Sequence, residues 1–201
     1  MFDRQALAIL RPAVTAMGAA LAQRGLRANQ LTVAGLLLGL GAAACIALQS
    51  FGSGAVLILL SRLCDALDGA VARQSQPTDA GAFLDIAFDF LFYASVPLAF
   101  AIAAPQQNAL PAAALLAGFI GTGSSFLAFS ALAAKRKLQS TAYPDKSIYY
   151  LGGLTEATET IAVFLAMCVW PQHFVLWAYG FAALCALTTC TRILWGWRAF
   201  Q

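Results

Sequence analysis

Four aspartates, Asp65, Asp68, Asp85 and Asp89, stand in a chain of 201 residues that is 61% hydrophobic and 10% charged. Residues three or four apart share one face of a helix, so Asp65 with Asp68, and Asp85 with Asp89, form two pairs. Roughly eight residues containing Pro77 separate the two apolar stretches, so these run antiparallel and all four carboxylates converge. Like charges at that distance cannot all stay ionised without compensation. Arg62 and Arg73 are too few to pair with four acids, whereas a hard divalent cation satisfies them together. Oxygen donors with no histidine or cysteine nearby favour magnesium, manganese or calcium over zinc or copper.

The residues between the pairs suit a phosphate-bearing ligand. Gly69 and Ala72 sit on or beside the aspartate face, where small side chains let a ligand approach the helix. Arg73 lies at its end, placed to grip a phosphate bidentately. Metal, arginine and a small-residue surface together describe a diphosphate site. Further along, Lys135, Arg136 and Lys137 form a basic run that suits either a second phosphate or a membrane flank. Glu156 and Glu159 share a face with Gly152 and Gly153, and suit either hydroxyl binding or an ion pair with Arg62 or Lys146.

The elements that carry these residues read as membrane spans, since about 20 mostly apolar residues cross the hydrocarbon layer. Six fit, at about 31–49, 55–73, 82–104, 109–134, 149–170 and 174–195. An aspartate at the centre of such a span costs about 2.5–3.5 kcal/mol on insertion scales, so acids kept there mark function. Before the spans, Leu7, Leu10, Val14, Met17 and Leu21 recur at helical spacing, with Arg4, Arg11 and Thr15 opposite. That describes an amphipathic helix on the membrane surface, within a juxtamembrane segment 1–30. The fold expected is therefore all-α and integral to the membrane: six transmembrane helices and a preceding surface helix, one domain over 1–201.

Arginines and lysines gather at alternate ends of the spans. Arg4, Arg11, Arg24, Arg27, Arg73, Lys135, Arg136, Lys137, Lys146, Arg192 and Arg198 fall on one side, and the loops at 50–54, 105–108 and 171–173 carry none. By the positive-inside rule both termini and the aspartates are cytoplasmic. The net charge of +3 thus reads as topology, with no nucleic-acid partner. Gly121, Gly123, Ser124 and Ser125 suit close helix packing, and Trp170, Trp177, Trp195 and Trp197 suit interfacial anchoring. Five scattered cysteines without a CxxC pair suit neither zinc nor a disulfide framework.

The run Asp65-x-x-Asp68-Gly69-x-x-Ala72-Arg73, followed by Gly81-x-x-x-Asp85-x-x-x-Asp89, resembles the signature of the CDP-alcohol phosphotransferase family. Within it, the stretches 121–129 and 149–161 resemble a bacterial inner-membrane, phosphatidylglycerophosphate synthase-like subgroup. The resemblance implies transfer of a substituted phosphate from a CDP-linked donor to an alcohol, with release of CMP, in phospholipid synthesis at the inner membrane. It implies that Asp65, Asp68 and Asp85 hold one or two Mg2+ or Mn2+ ions, and that Asp89 shares in metal binding and deprotonates the alcohol. Asp68, Gly69, Ala72, Arg73 and Gly81 would hold the CDP moiety. Lys135, Arg136, Glu156 and Glu159 are the candidates for the acceptor, and a homodimer is implied as well.

CDP-diacylglycerol with a small polar alcohol, such as glycerol 3-phosphate or another polyol or its phosphate, is the favoured substrate pair. Soluble CDP-choline or CDP-ethanolamine donating to a lipid acceptor is a second reading. A cation transporter using the same acids is a third, from another class. A transporter needs polar residues through the full membrane depth, and the outer halves of these spans are nearly all apolar, which favours the enzyme.

Overall fold

The computed structural model describes residues 3–74, 77–136 and 155–201, with only the backbone of 3–11. Among these residues every regular element is helical: α1 (Asp3–Gln23), α2 (Ala28–Ala47), α3 (Phe51–Gln74), α4 (Asp79–Ala103), α5 (Pro105–Lys135), α6 (Ala157–Val169) and α7 (Phe174–Phe200), with a 3₁₀ turn at Pro171–His173 before α7.

Short turns set the antiparallel order. Between α1 and α2, Gly25 takes φ 82°, a left-handed conformation that glycine adopts without a Cβ penalty. Between α2 and α3, Gln49 has φ 62° and donates from Nε2 to the Ala103 carbonyl at 3.0 Å, tying this turn to the end of α4. Helix α4 starts at Thr78, whose hydroxyl accepts from the Gly81 N–H at 3.1 Å, an N-cap bond that satisfies one orphan donor.

Helix α2 packs against α3 and α4, α4 against α5, α5 against α7, and α3 also against α1 and α6. The core between them is aromatic and aliphatic, with Ile46, Ile58, Phe92, Phe100, Leu115 and Phe164 fully buried. Phe100 stacks on Phe51 and Phe174 at centroid distances of 5.6 and 4.6 Å. This closes the end of the bundle away from the aspartates. Gly121 allows the expected close approach: a Cβ there would lie 2.9 Å from Thr189 Oγ1 of α7. The outer surface is apolar, with Leu37, Leu110 and Ile120 more than 60% exposed.

Four segments, α2, α4, α5 and the 171–200 stretch containing α7, are long and apolar enough to cross a membrane. The two other expected spans differ for separate reasons. Helix α3 is 24 residues long, about 36 Å, but carries Arg62, Asp65, Asp68 and Arg73. Helix α6 has 13 residues, about 20 Å at 1.5 Å per residue, and 149–154 lie outside the described residues. Helix α1 runs unbroken through Pro12. Its Val14, Leu21 and Ala22 pack against Leu31, Leu67 and Val71, and a Cβ at Gly18 would come within 2.5 Å of the Ala70 Cβ. Part of its apolar stripe therefore lies on the bundle, while Met17 is exposed.

Gly39 is a sensitive point of this packing. A Cβ there would lie 2.6 Å from Phe92 Cδ2 and 3.2 Å from Ser61 Oγ, and the Phe92 ring is fully buried. Gly39→Ala is expected to destabilise the protein by about 1–3 kcal/mol, the usual cost of overpacking, read as a lower unfolding temperature in detergent. An unchanged midpoint would show that Phe92 moves freely.

Candidate active site

Helices α3 and α4 bring the aspartates together from the two sides of the 75–78 connection. One carboxylate oxygen each from Asp65, Asp68 and Asp85 lies within 4.8 Å of the others. Oxygen ligands around a divalent cation, each 2.0–2.6 Å from it, span such separations. Asp68 is the buried member, and its Oδ2 has no hydrogen-bond partner. A buried carboxylate oxygen left bare is costly, and a cation among these three oxygens would satisfy it. The residues present therefore fit a divalent metal.

Asp89 stands apart from that trio, one turn beyond Asp85. Its Oδ1 accepts from Arg62 Nη1 at 2.6 Å, and the same nitrogen lies 3.5 Å from Asp65 Oδ1. The guanidinium rests 4.1 Å from the centroid of the Phe92 ring, a cation–π arrangement. Its Nη2 is 3.3 Å from Ser61 Oγ, which donates to the Gly35 carbonyl at 2.7 Å. Arg62 thus links the outlying carboxylate to the trio and is braced by α2 and α4. Of the two readings of Glu156 and Glu159, the ion pair with Arg62 is not what the structure shows: Arg62 pairs with Asp65 and Asp89. Lys146 lies outside the described residues.

Two cavities flank α4. The first, about 970 Å3, is lined by Asp68, Gly69, Ala72, Gly81 and Asp85, five of the residues singled out from the sequence. Arg73 folds back beside them: a Cβ at Gly69 would stand 3.3 Å from its Nη1. At Gly81 a Cβ would meet Asn29 Oδ1 at 3.1 Å and Thr78 Oγ1 at 3.2 Å, so the small residue keeps this wall open. Sequence reasoning missed Arg27, Asn29 and Thr32, which complete the lining from the start of α2. Their signal was present as a polar opening to an otherwise apolar helix.

The second cavity, about 680 Å3, is bounded by α4, α5, α6 and α7. Apolar side chains such as Ile86, Phe119 and Phe126 make most of its wall, and Asp89, Thr122, Thr155, Glu156, Thr160 and Arg192 are among its polar groups, with Tyr93 and Ser124. Arg192 Nη1 donates to the Thr122 carbonyl at 3.1 Å, and the Thr155 hydroxyl donates to Thr188 Oγ1 at 3.0 Å. Arg192 was read from the sequence only as a topological charge. Glu159 serves the helix end, with its Oε2 accepting from the Glu156 N–H at 3.2 Å. Lys135 and Arg136 are at the end of α5 and do not line this cavity; Arg136 Nη2 donates to the Phe200 carbonyl at 2.7 Å. Asp85 faces one cavity and Asp89, held by Arg62, the other, so α4 presents a carboxylate to each of the two spaces.

Comparison with known proteins gives a consistent picture. The sequence model of the family described as CDP-alcohol phosphatidyltransferase matches residues 26–191. The Escherichia coli inner membrane protein YnjF is 49% identical over 197 residues, 98% of this chain and 96% of that protein. An archaetidylinositol phosphate synthase from Methanothermobacter thermautotrophicus is 43% identical over 67 residues, covering 33% of this chain and 34% of its own. Among solved structures, Mycobacterium tuberculosis phosphatidylinositol phosphate synthase with CDP-DAG bound superposes with a TM-score of 0.73 at 21% identity, covering 92% of this chain and 93% of that one. The same enzyme in complex with manganese and citrate gives a TM-score of 0.72, with 92% and 88% covered.

Proposed function

The chain belongs to the CDP-alcohol phosphatidyltransferase family, and from that premise we propose that it moves the phosphatidyl group of CDP-diacylglycerol to a small polar alcohol, releasing CMP. The observation that carries this reading is the trio of carboxylates on α3 and α4, two of them in the wall of the first cavity, with Asp89 facing the second. The manganese and CDP-DAG complexes of the similarly folded mycobacterial enzyme support the choice of metal and donor.

In this reading Asp65, Asp68 and Asp85 hold one or two Mg2+ or Mn2+ ions, with Asp89 as a further ligand. The bound metal neutralises the diphosphate and the charge that develops on it. Gly69, Ala72 and Gly81 leave space for the CDP moiety beside Asp68, and Arg73 grips its phosphate. The alcohol oxygen attacks the lipid-proximal phosphorus, the bond from that phosphorus to the bridging oxygen breaks, and CMP leaves with that oxygen. Asp89 takes the alcohol proton, a role that needs a carboxylate within hydrogen-bond reach.

The helices complete the proposal at the level of the membrane. Six spans cross it, α3 and α6 among them, with α1 at its surface. In this reading the site and both termini lie at the cytoplasmic face of a bacterial inner membrane, which the arginines and lysines at the aspartate end support. A homodimer belongs to the same reading.

Purified protein with CDP-diacylglycerol, Mn2+ and a panel of small alcohols should release CMP. A chelator should abolish release, and Mg2+ or Mn2+ should restore it. Metal-independent release, or equal use of CDP-choline as donor, would overturn the assignment.

A further inference from the structure

We infer that Arg62 is a positioning residue for the transfer: it holds Asp89 by one carboxylate oxygen, leaving the other for the alcohol proton, and it shares Asp65 with the bound metal. The inference rests on the transferase reading above and goes beyond it, since that reading gives Arg62 no part.

Arg62 stands three residues before Asp65, on the same face of α3. Its Nη1 donates to Asp89 Oδ1 at 2.6 Å and lies 3.5 Å from Asp65 Oδ1, so one nitrogen spans carboxylates of two helices. Asp65 also lends an oxygen to the trio. A guanidinium and a metal ion thus draw on the same carboxylate, and the unit charge of Arg62 opposes a second cation there.

The guanidinium is seated by groups other than the acids. Phe92 lies three residues after Asp89 on α4, and its fully buried ring carries the guanidinium 4.1 Å from the centroid. The Tyr93 ring is 5.9 Å away. Nη2 donates to Ser61 Oγ at 3.3 Å, and the Ser61 hydroxyl is itself committed to the Gly35 carbonyl at 2.7 Å. One helix therefore supplies both the acid and the ring that seats its partner. Because Oδ1 of Asp89 carries the Arg62 bond, the oxygen left to take the proton is Oδ2.

Packing alone does not explain an arginine here. The side chain is 16% exposed, and its Nε is buried with no hydrogen-bond partner. A bare buried N–H is costly, and an apolar side chain of similar volume would fill the space without that cost. The side chains of Asp65 and Asp89 are 35% and 32% exposed, so water reaches both. What the arginine adds is a fixed direction for Asp89.

The test compares Arg62→Met and Arg62→Lys with the unaltered protein in detergent. It reads CMP release from CDP-diacylglycerol, and Mn2+ affinity by electron paramagnetic resonance. Arg62→Met should lower kcat about 10–10²-fold, the usual cost of losing a group that orients a working side chain. The KM for CDP-diacylglycerol should change less than about threefold. Mn2+ should bind this variant about tenfold or more tightly, because a positive charge has left its surroundings. Arg62→Lys keeps the charge without the planar fork, so its Mn2+ affinity should stay within about threefold of the unaltered protein while kcat falls. A merely structural arginine predicts the opposite sign for the metal, since a loosened site loses activity and affinity together. Weaker Mn2+ binding in folded Arg62→Met, or a kcat equal to that of the unaltered protein, would overturn the inference. Where Arg62→Met does not fold, an undiminished kcat in Arg62→Lys does so. No CMP from the unaltered protein with any acceptor overturns the transferase reading and the positioning role with it, whereas CMP release that the variants leave intact overturns the inference alone.

Discussion

Asp89→Asn is expected to lower the rate of CMP release by about 10²–10⁴-fold, the usual contribution of a positioned general base. The asparagine has nearly the same shape and still accepts from Arg62, so the bundle should keep its unfolding temperature. The loss should fall on kcat, with the KM for CDP-diacylglycerol changed by less than about threefold, because Asp89 lines the second cavity and not the first. Measuring CMP release across donor concentrations separates the two parameters. A drop of less than tenfold in kcat would remove the proton-accepting role, and a rise in KM alone would move Asp89 to donor binding.

Asp68→Asn should be as damaging to activity while affecting stability in the opposite sense. Metal stabilisation of transferring charge contributes several kcal/mol, and each 1.36 kcal/mol is tenfold in rate, so a loss of about 10³-fold is expected. In metal-free protein, however, Oδ2 of Asp68 is buried and without a hydrogen-bond partner. Replacing the carboxylate by a neutral amide removes a buried charge, so the metal-free variant should unfold at the same temperature as the unaltered protein or above it. Adding Mn2+ should raise the midpoint of the unaltered protein by mass action and leave the variant unmoved. Equal stabilisation of both by Mn2+ would show that the metal binds elsewhere.

How far the sequence carried these conclusions depended on whether the information was local. Asp65 with Asp68 and Asp85 with Asp89 declare a helix face by spacing alone, and the short connection around Pro77 forces that face to meet its partner. The trio of oxygens within 4.8 Å follows from those two facts. Gly69, Ala72 and Gly81 were legible for the same reason, being small residues in register with the acids. Arg62 was misjudged although its signal was local: it lies three residues before Asp65, on the same face, and its 2.6 Å bond to Asp89 runs between helices.

The second cavity was least legible because its polar wall is assembled at long range. Thr122, Glu156 and Arg192 come from α5, the start of α6 and α7, and no periodicity relates them. Read singly, Arg192 is a flanking charge and Glu156 suits hydroxyl binding or an ion pair; only tertiary packing sets them in one wall with Asp89. Helix α3 shows the converse conflict, where four charged residues lower its apolarity as a span because the same residues build the site.

The central claim is tested most directly by CDP-diacylglycerol carrying radiolabelled phosphorus in its lipid-proximal phosphate, incubated with purified protein, Mn2+ and a polyol acceptor. The account predicts that the label passes into a new phospholipid containing that polyol, that unlabelled CMP appears in equal amount, and that both fail in Asp89→Asn. Label in the released nucleotide, or label remaining in CDP-diacylglycerol with every acceptor and metal, would contradict it.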